Sequence, residues 1–172
     1  MTYTLDRMLG MGYHSAVFAL HGHPRLCAKI RYTGSIAQQQ EEAATEWKKA
    51  EKLRALQIPI AKHAGIIEVL IPENIKQIIA AAHPKHEQRA MMEDELKPGL
   101  IVPGLVIQLI ENDDTIIPLD GTLPHDVEQQ VRDTLRRLFE MGIKGQDAYQ
   151  NVLWCKRRKK LYFIDVEHWI GL

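Results

Sequence analysis

The feature that most constrains the fold is the N-terminal region, in which short apolar segments alternate with turns. The segment LGMGYHSAVFAL (9–20) carries Gly10 and Gly12 between apolar stretches. The segment HGHPR (21–25) contains a glycine and a proline typical of turns, and LCAKI (26–30) is apolar except for Lys29. Short apolar runs bounded by glycine and proline are typical of β-strands. The pattern therefore predicts three consecutive strands, with a glycine turn between the first two.

Two charged residues in this region need partners. The two-residue period of a strand places Cys27 and Lys29 on one face of LCAKI and the aliphatic residues on the other. The next segment, 35–56, contains no glycine or proline and predicts a helix whose apolar stripe consists of Ala43, Trp47, Ala50 and Leu53. Glu46 lies close to that stripe, and a carboxylate near a buried face requires a partner. Lys29 is the candidate partner, although a solvated, highly charged helix would also explain Glu46.

The middle of the chain is less informative but still predicts elements. Residues 63–71 read as a strand, and 73–96 as two short helices broken at Pro84. The segment GLVIQLIENDDTIIPLDGTLP (104–124) begins as a predicted buried strand and becomes an acidic, turn-rich connector, which is a plausible link between two lobes. A helix is then predicted over 124–142, ended by a glycine, with an apolar stripe formed by Val127, Val131, Leu135 and Leu138.

The C-terminal region combines polar residues with a predicted hairpin. In GQDAYQNVLW, Asp147 and Asn151 are four positions apart, just before a short apolar run. Two strands follow, joined by the basic tip KRRKK (156–160). The second strand ends at Asp165, and Glu167 lies two residues further on. Asp147 and Asn151 are therefore either a functional pair or the polar turn before a strand.

Composition excludes several classes of protein. The chain has 172 residues, of which 45% are hydrophobic, which is enough for one domain. Its 22 Lys and Arg residues balance 22 Asp and Glu residues, so nucleic-acid binding is not expected. No apolar stretch is long enough to span a membrane, and Cys27 and Cys155 cannot form a disulfide framework. A cytoplasmic location is expected, although export as an effector without a cleaved signal peptide stays open.

The order of these features resembles the protein-kinase-like fold: a glycine turn, a strand lysine, a helix glutamate, an Asp and Asn after a helix, and an Asp after a hairpin. The resemblance implies an α+β, two-lobed minimal kinase-like fold, with an antiparallel N-lobe sheet plus helix and a strongly truncated helical C-lobe. It implies one domain, 1–172, divided into an N-lobe (1–111, with a helical insertion at 73–96) and a C-lobe (112–172).

The resemblance also implies an ATP site. The turn from Gly10 to Ser15 would cover the triphosphate with backbone N–H groups, and Lys29, held by Glu46, would bind the α- and β-phosphates. The other residues that the resemblance assigns to nucleotide binding are Gly12 and Val17 in the glycine motif, Cys27 beside the adenine, and Leu109 and Glu111 in a hinge spanning 109–112.

The implied metal is Mg²⁺, with Asn151 and Asp165 as ligands. The ending FIDVEHW departs from Asp-Phe-Gly and looks more like the Ile-Asp-x-Glu ending of aminoglycoside and choline phosphotransferases, which makes Glu167 a secondary ligand. The front end is similar to small bacterial kinase-like proteins of the PhoP-regulatory-network family, and the length is similar to that of bacterial effector kinases.

Two departures from the family pattern keep alternatives open. Seven residues follow Asp165, so a peptide-docking platform is not expected, and a substrate would be held by 73–96 or by the basic tip. The usual catalytic loop spaces Asp and Asn five apart, so keeping that register would place Gln146 at the base position. A loop shorter by one residue would instead deliver Asp147, which we expect to be the catalytic base because it supplies a carboxylate between the end of a helix and a metal ligand. Three functions therefore stay open. The chain is an ATP-dependent kinase acting on a protein or a small molecule, a nucleotide-binding pseudokinase that binds a protein partner, or a non-kinase binding protein.

Overall fold

The structure is a computed structural model that describes residues 2–110, 115–116, 124–145, 147–149, 151–155 and 158–172. The chain forms two compact units, one of Met1–Ala44 and His63–Leu109 and the other of Thr45–Lys62 and Ile110–Leu172. Helix α1 (Ile36–Ala55) contributes its first half to the first unit and its second half to the second unit.

The first unit is built around a five-stranded sheet. Its strands, in the order β1-β2-β3-β5-β4, are β1 (Tyr3–Met11), β2 (Ser15–Leu20), β3 (His23–Arg31), β5 (Ile101–Gln108) and β4 (His63–Leu70). The predicted antiparallel sheet is therefore confirmed. Parallel pairing of Tyr3 with Val69 and of Thr4 with Leu70 closes the sheet into a barrel, which the sequence pattern did not indicate.

The core of the first unit confirms the predicted faces of β3. Ala28 and Ile30 lie in the hydrophobic cluster, whereas Cys27 and Lys29 are not part of it. The segment predicted as two helices forms α2 (Ile75–Ala81) and α3 (His86–Glu95). Both helices bury apolar side chains in the same cluster, namely Ile75, Ile78, Ile79 and Met92. Each such burial contributes about 1.5–3 kcal/mol, so the helical segment is part of the core of the first unit.

Helix α1 starts with a capping box and buries a different face from the one predicted. The Ser35 N–H donates to Gln38 Oε1 (2.9 Å), and the Gln38 N–H donates to Ser35 Oγ (3.3 Å). The prediction that Trp47 belongs to the buried stripe is wrong, because Trp47 is 36% exposed whereas Glu46 is 3% exposed. The buried face of the second half instead follows positions 46, 50 and 53, which is the i, i+4, i+7 spacing of one helix face.

The second unit contains helix α4 (His125–Glu140), the three-stranded sheet β6-β7-β8 and a short 3₁₀ helix (Val166–His168). Strands β7 (Val152–Cys155) and β8 (Lys160–Phe163) confirm the predicted hairpin, whereas β6 (Thr115–Ile116) was not predicted. The predicted stripe of α4 packs in the core of this unit. Lys160 belongs to β8, and Lys156 and Arg157 of the basic tip lie outside the described residues.

Within the described ranges, none of the helices combines the length and the apolar character that crossing a bilayer requires.

Candidate functional site

Three carboxylates of the second unit form a cluster. One oxygen each of Glu46, Asp165 and Glu167 lies within 4.8 Å of the others. Glu46 is buried, and the other two residues are half-buried. Carboxylates held this close repel one another when ionised, so a cation placed among them stabilises the arrangement. The resemblance to kinase-like proteins implies Asp165 and Glu167 as metal ligands, and in the structure an oxygen of Glu46 lies close to theirs.

The backbone around Asp165 is held by neighbouring segments. The Phe163 N–H donates to the carbonyl of Pro59 (2.7 Å), and the Ile164 N–H donates to the carbonyl of Asn151 (2.9 Å). Asp165 itself has left-handed backbone angles (φ 56°, ψ 53°). Such a conformation is unfavourable for a residue with a side chain and persists where the surroundings fix it, most often at functional sites. The fold therefore fixes where the Asp165 carboxylate projects.

Lys49 supports the same cluster, a role that the sequence pattern does not predict. Its ammonium donates to the carbonyls of Glu167 (2.5 Å) and Trp169 (2.8 Å). Lys49 lies one helical turn after Glu46, so one face of α1 supplies both a carboxylate and a support for the segment that carries Glu167. That three-residue spacing was the available signal, but a lysine on a charged helix does not by its sequence indicate what it contacts.

The donor set of this cluster suits Mg²⁺. Magnesium takes hard oxygen ligands at about 2.0–2.1 Å, so two ligands on opposite sides of the ion lie about 4.2 Å apart. A 4.8 Å spread exceeds this value only slightly, so small side-chain adjustments bring the three carboxylates within reach of one ion. Asn151, the other predicted ligand, is half-buried, and its main chain is hydrogen-bonded next to Asp165 through Ile164.

Asp147 is not a member of the carboxylate cluster. It is exposed, has positive φ (53°) and lies in the turn before β7. The Asn151 N–H donates to the carbonyl of Ala148 (3.3 Å), the residue that follows Asp147. This hydrogen bond closes the turn that separates Asp147 from Asn151. Gln146, the alternative base, lies outside the described residues.

The two glycines of the predicted turn lie in different elements: Gly10 belongs to β1, where it pairs with Val17, and Gly12 lies in the turn between β1 and β2. Neither Gly10 nor Gly12 has positive φ. A Cβ built at Gly10 would meet no atom within 4 Å, and one at Gly12 would come no closer than 3.7 Å to the Ser15 carbonyl. Neither backbone conformation nor internal packing therefore requires glycine at these two positions.

The other predicted nucleotide residues of the first unit lie on neighbouring strands. Val17 pairs with Lys29, and Cys27 pairs with Ile107. The Cys27 thiol donates to the Ile107 carbonyl (3.4 Å), and burial raises the pKa of this thiol to about 12. Cys27 is therefore a neutral packing residue at physiological pH.

The predicted hinge and the predicted ion pair are only partly described. The Leu109 N–H donates to the Arg25 carbonyl (2.9 Å). Glu111 and Asn112 lie outside the described residues. Lys29 belongs to the first unit and Glu46 to the second, and their pairing stays a prediction.

No protein-family model matches the sequence, and no curated protein matches it either. Among solved structures, the chain is similar to the crystal structure of a Stt7 homologue from Micromonas algae soaked with ATP, with a TM-score of 0.56 and 16% identity. The match covers 96% of this chain and 49% of the other, so this chain spans about half the length of that structure. At this identity the likeness concerns the fold alone, and the fold of this chain is protein-kinase-like.

Proposed function

We propose that this protein is an ATP-dependent phosphotransferase that uses Mg²⁺ and transfers the γ-phosphate to a hydroxyl group of a protein. The observation that carries the proposal is the cluster of Glu46, Asp165 and Glu167 in a chain with a kinase-like fold. Clustered carboxylates on a rigid turn are what a phosphate-bound cation requires.

The carboxylates would hold the metal. When bound, Mg²⁺ neutralises charge on the phosphate oxygens. Asp165 is the central ligand in the proposal because its backbone is fixed by β8 and by the 3₁₀ helix that follows. Glu167 and Asn151 would complete the set, and buried Glu46 would add negative charge that favours a divalent cation over a monovalent one.

Residues of the first unit would bind the nucleotide. The Gly10–Ser15 turn offers backbone N–H groups to phosphate oxygens, and Lys29 supplies a positive charge to the α- and β-phosphates. Val17 and Cys27 offer small apolar surfaces to the base. Leu109 would contact the edge of the base through its carbonyl, because its N–H already donates to the Arg25 carbonyl.

Asp147 is the proposed general base. As the substrate oxygen bonds to the γ-phosphorus, the bond from that phosphorus to the ADP oxygen breaks, and the Asp147 carboxylate accepts the hydroxyl proton. The exposed position of Asp147 suits a group that must meet an incoming substrate.

The second candidate function is a nucleotide-binding pseudokinase that works through a protein partner. The observation that favours it is the four-residue spacing from Asp147 to Asn151, which differs from the five-residue spacing of the usual catalytic loop. In that function nucleotide and metal bind, and no phosphate is transferred.

Calorimetric titration with ATP, with and without Mg²⁺, tests the binding, and transfer from γ-labelled ATP to candidate protein substrates tests the chemistry. We expect Asp165→Asn to abolish the magnesium dependence of ATP binding. Glu140→Gln, which removes an exposed carboxylate of α4 in the same unit, is the matched control and should behave like the wild type. Absence of ATP binding would rule out both functions, whereas binding without transfer to any substrate would favour the pseudokinase.

A further inference from the structure

One tyrosine contacts every carbonyl at the tip of the glycine turn. The Tyr32 hydroxyl lies 2.8 Å from the carbonyl oxygens of Gly12 and Tyr13, and its proton serves both acceptors. The Tyr32 main-chain N–H donates to the carbonyl of His14 (3.0 Å). Three successive turn carbonyls are therefore held by one residue.

Tyr32 is itself firmly placed. It is 1% exposed, belongs to the hydrophobic cluster of the first unit and follows β3 directly, three residues after Lys29. Burial, with a smaller contribution from nearby Tyr13, raises the pKa of the Tyr32 hydroxyl above its ordinary value. The hydroxyl thus stays protonated, and remains a donor, throughout the physiological pH range.

The geometry of the peptide bond decides where the turn N–H groups point. In a trans peptide the C=O and the N–H point in opposite directions. The Gly12 and Tyr13 carbonyls face Tyr32, so the N–H groups of Tyr13 and His14, which share those peptide planes, point away from it. Neither of these two N–H groups donates to another group in the part of the chain that the structure describes.

We infer that Tyr32 is a positioning residue that holds the glycine turn so that the Tyr13 and His14 N–H groups are presented to the phosphate oxygens of a nucleotide. The inference rests on the proposed nucleotide binding, and it names the residue that prepares the turn before the nucleotide arrives. Two adjacent, aligned N–H donors form an anion-binding concavity, and fixing them in advance removes the entropic cost of ordering the turn on binding.

Tyr32→Phe tests this role because it removes the hydroxyl and keeps the buried ring. A hydrogen bond contributes about 0.5–1.5 kcal/mol, so we expect the dissociation constant for ATP to rise about 2- to 12-fold. The affinity for adenosine should not change, since adenosine has no phosphate. Tyr3→Phe is the matched control, because Tyr3 also packs against the core of the first unit and its hydroxyl makes no hydrogen bond within the described residues.

A second measurement needs no nucleotide. In the free wild-type protein, ¹⁵N relaxation should give the Tyr13 and His14 amides order parameters near the rigid value of about 0.85, and Tyr32→Phe should lower them toward about 0.6. Unchanged order parameters in Tyr32→Phe, or an equal loss of ATP and adenosine affinity, would overturn the inference. If the wild type does not bind ATP, the proposed function falls, and the order parameters alone decide whether Tyr32 holds the turn.

Discussion

The ammonium of Lys49 donates a 2.5 Å hydrogen bond to the main-chain carbonyl of Glu167. This contact joins α1 to the 3₁₀ helix that carries Glu167, and a second bond to the Trp169 carbonyl extends it (2.8 Å). The positions of the other two carboxylates of the cluster therefore depend on one helix, Glu46 directly and Glu167 through Lys49.

Lys49→Met should weaken divalent-metal binding without removing a ligand. Groups that orient metal ligands typically contribute 10- to 100-fold to metal affinity, and we expect a loss of about tenfold. Titration with Mn²⁺, followed by electron paramagnetic resonance, measures it. Lys48→Met changes an exposed lysine of the same helix and is the control. Equal metal affinities for the two variants would show that the Lys49 contact does not orient Glu167 for metal binding.

Lys29→Ala should weaken ATP binding and leave the fold intact, because Lys29 is not part of the hydrophobic cluster of its unit. A hydrogen bond to a charged group contributes about 1.5–3 kcal/mol, which corresponds to a loss of about 10- to 100-fold in affinity. Calorimetric titration with ATP and Mg²⁺ measures the change. Arg25→Ala removes an exposed cation from the same strand and should have no effect. Unchanged ATP affinity in Lys29→Ala would refute the nucleotide role of this lysine.

The elements with a clear local pattern were predictable, and the contacts between distant segments were not. The faces of β3 followed from the two-residue period, and helix α4 followed from its apolar stripe and its terminal glycine. Trp47 was assigned to the buried stripe because hydrophobicity alone favoured it, but burial of Glu46 rotates the buried face of α1 by one position. The parallel β1–β4 pairing and strand β6 join segments far apart in sequence, which no local pattern encodes.

The candidate site shows the same division. The ligand roles of Asp165 and Glu167 come from the resemblance to kinase-like proteins, and the pairing of opposite charges predicts Lys29 as the partner of Glu46. Its position within 4.8 Å of two other carboxylates depends on how the second half of α1 packs in its unit. Tyr32 and Lys49 act through main-chain carbonyls, whose positions a sequence pattern does not specify.

Substitution of glycine by alanine should separate binding from stability. A Cβ at Gly12 would make only ordinary van der Waals contact, 3.7 Å from the Ser15 carbonyl oxygen, so we expect Gly12→Ala to change the free energy of unfolding by less than about 0.5 kcal/mol. ATP affinity should fall about tenfold, or about 1.4 kcal/mol, because the new methyl group occupies the approach to the turn.

Gly104→Ala is the contrast: its Cβ would lie 2.7 Å from Val69 Cγ2 in the core, and overpacking costs about 1–3 kcal/mol. Urea unfolding and ATP titration of both variants measure the two effects, and unaltered ATP affinity in Gly12→Ala would contradict the nucleotide role of the turn.

The buried Cys27 thiol should make stability depend on pH in alkaline solution. Its pKa is raised from an ordinary value of 9.0 to about 12, so above pH 9 the unfolded chain loses a proton that the folded chain keeps. The stabilisation is complete below pH 9 and declines as pH rises toward 12, with a limiting slope of about 1.4 kcal/mol per pH unit. Urea unfolding between pH 8 and about pH 10 should show a smaller decline in Cys27→Ala than in the wild type, because any contribution of Tyr32 is the same in both proteins. Cys155→Ala keeps the Cys27 contribution and serves as the control, and an identical decline in all three proteins would exclude Cys27 as the cause.

Asp147 and Gln146 compete for the role of general base, and mutants of the two residues give opposite outcomes. Asp147 offers a carboxylate that is exposed to solvent. The next residue, Ala148, accepts a hydrogen bond at its carbonyl from the N–H of the proposed ligand Asn151. Its positive φ shows that the backbone is held in a conformation that most residues avoid, and aspartate adopts it more readily than bulkier residues do.

A positioned general base contributes about 10²- to 10⁴-fold to the rate, so Asp147→Asn should reduce phosphate transfer by about that factor with ATP affinity preserved. Gln146→Ala should have a much smaller effect, because a neutral amide does not accept the hydroxyl proton. Transfer from γ-labelled ATP measures both variants: an inactive Gln146→Ala beside an active Asp147→Asn would assign the base position to residue 146, and full activity in both would show that neither residue acts as the base.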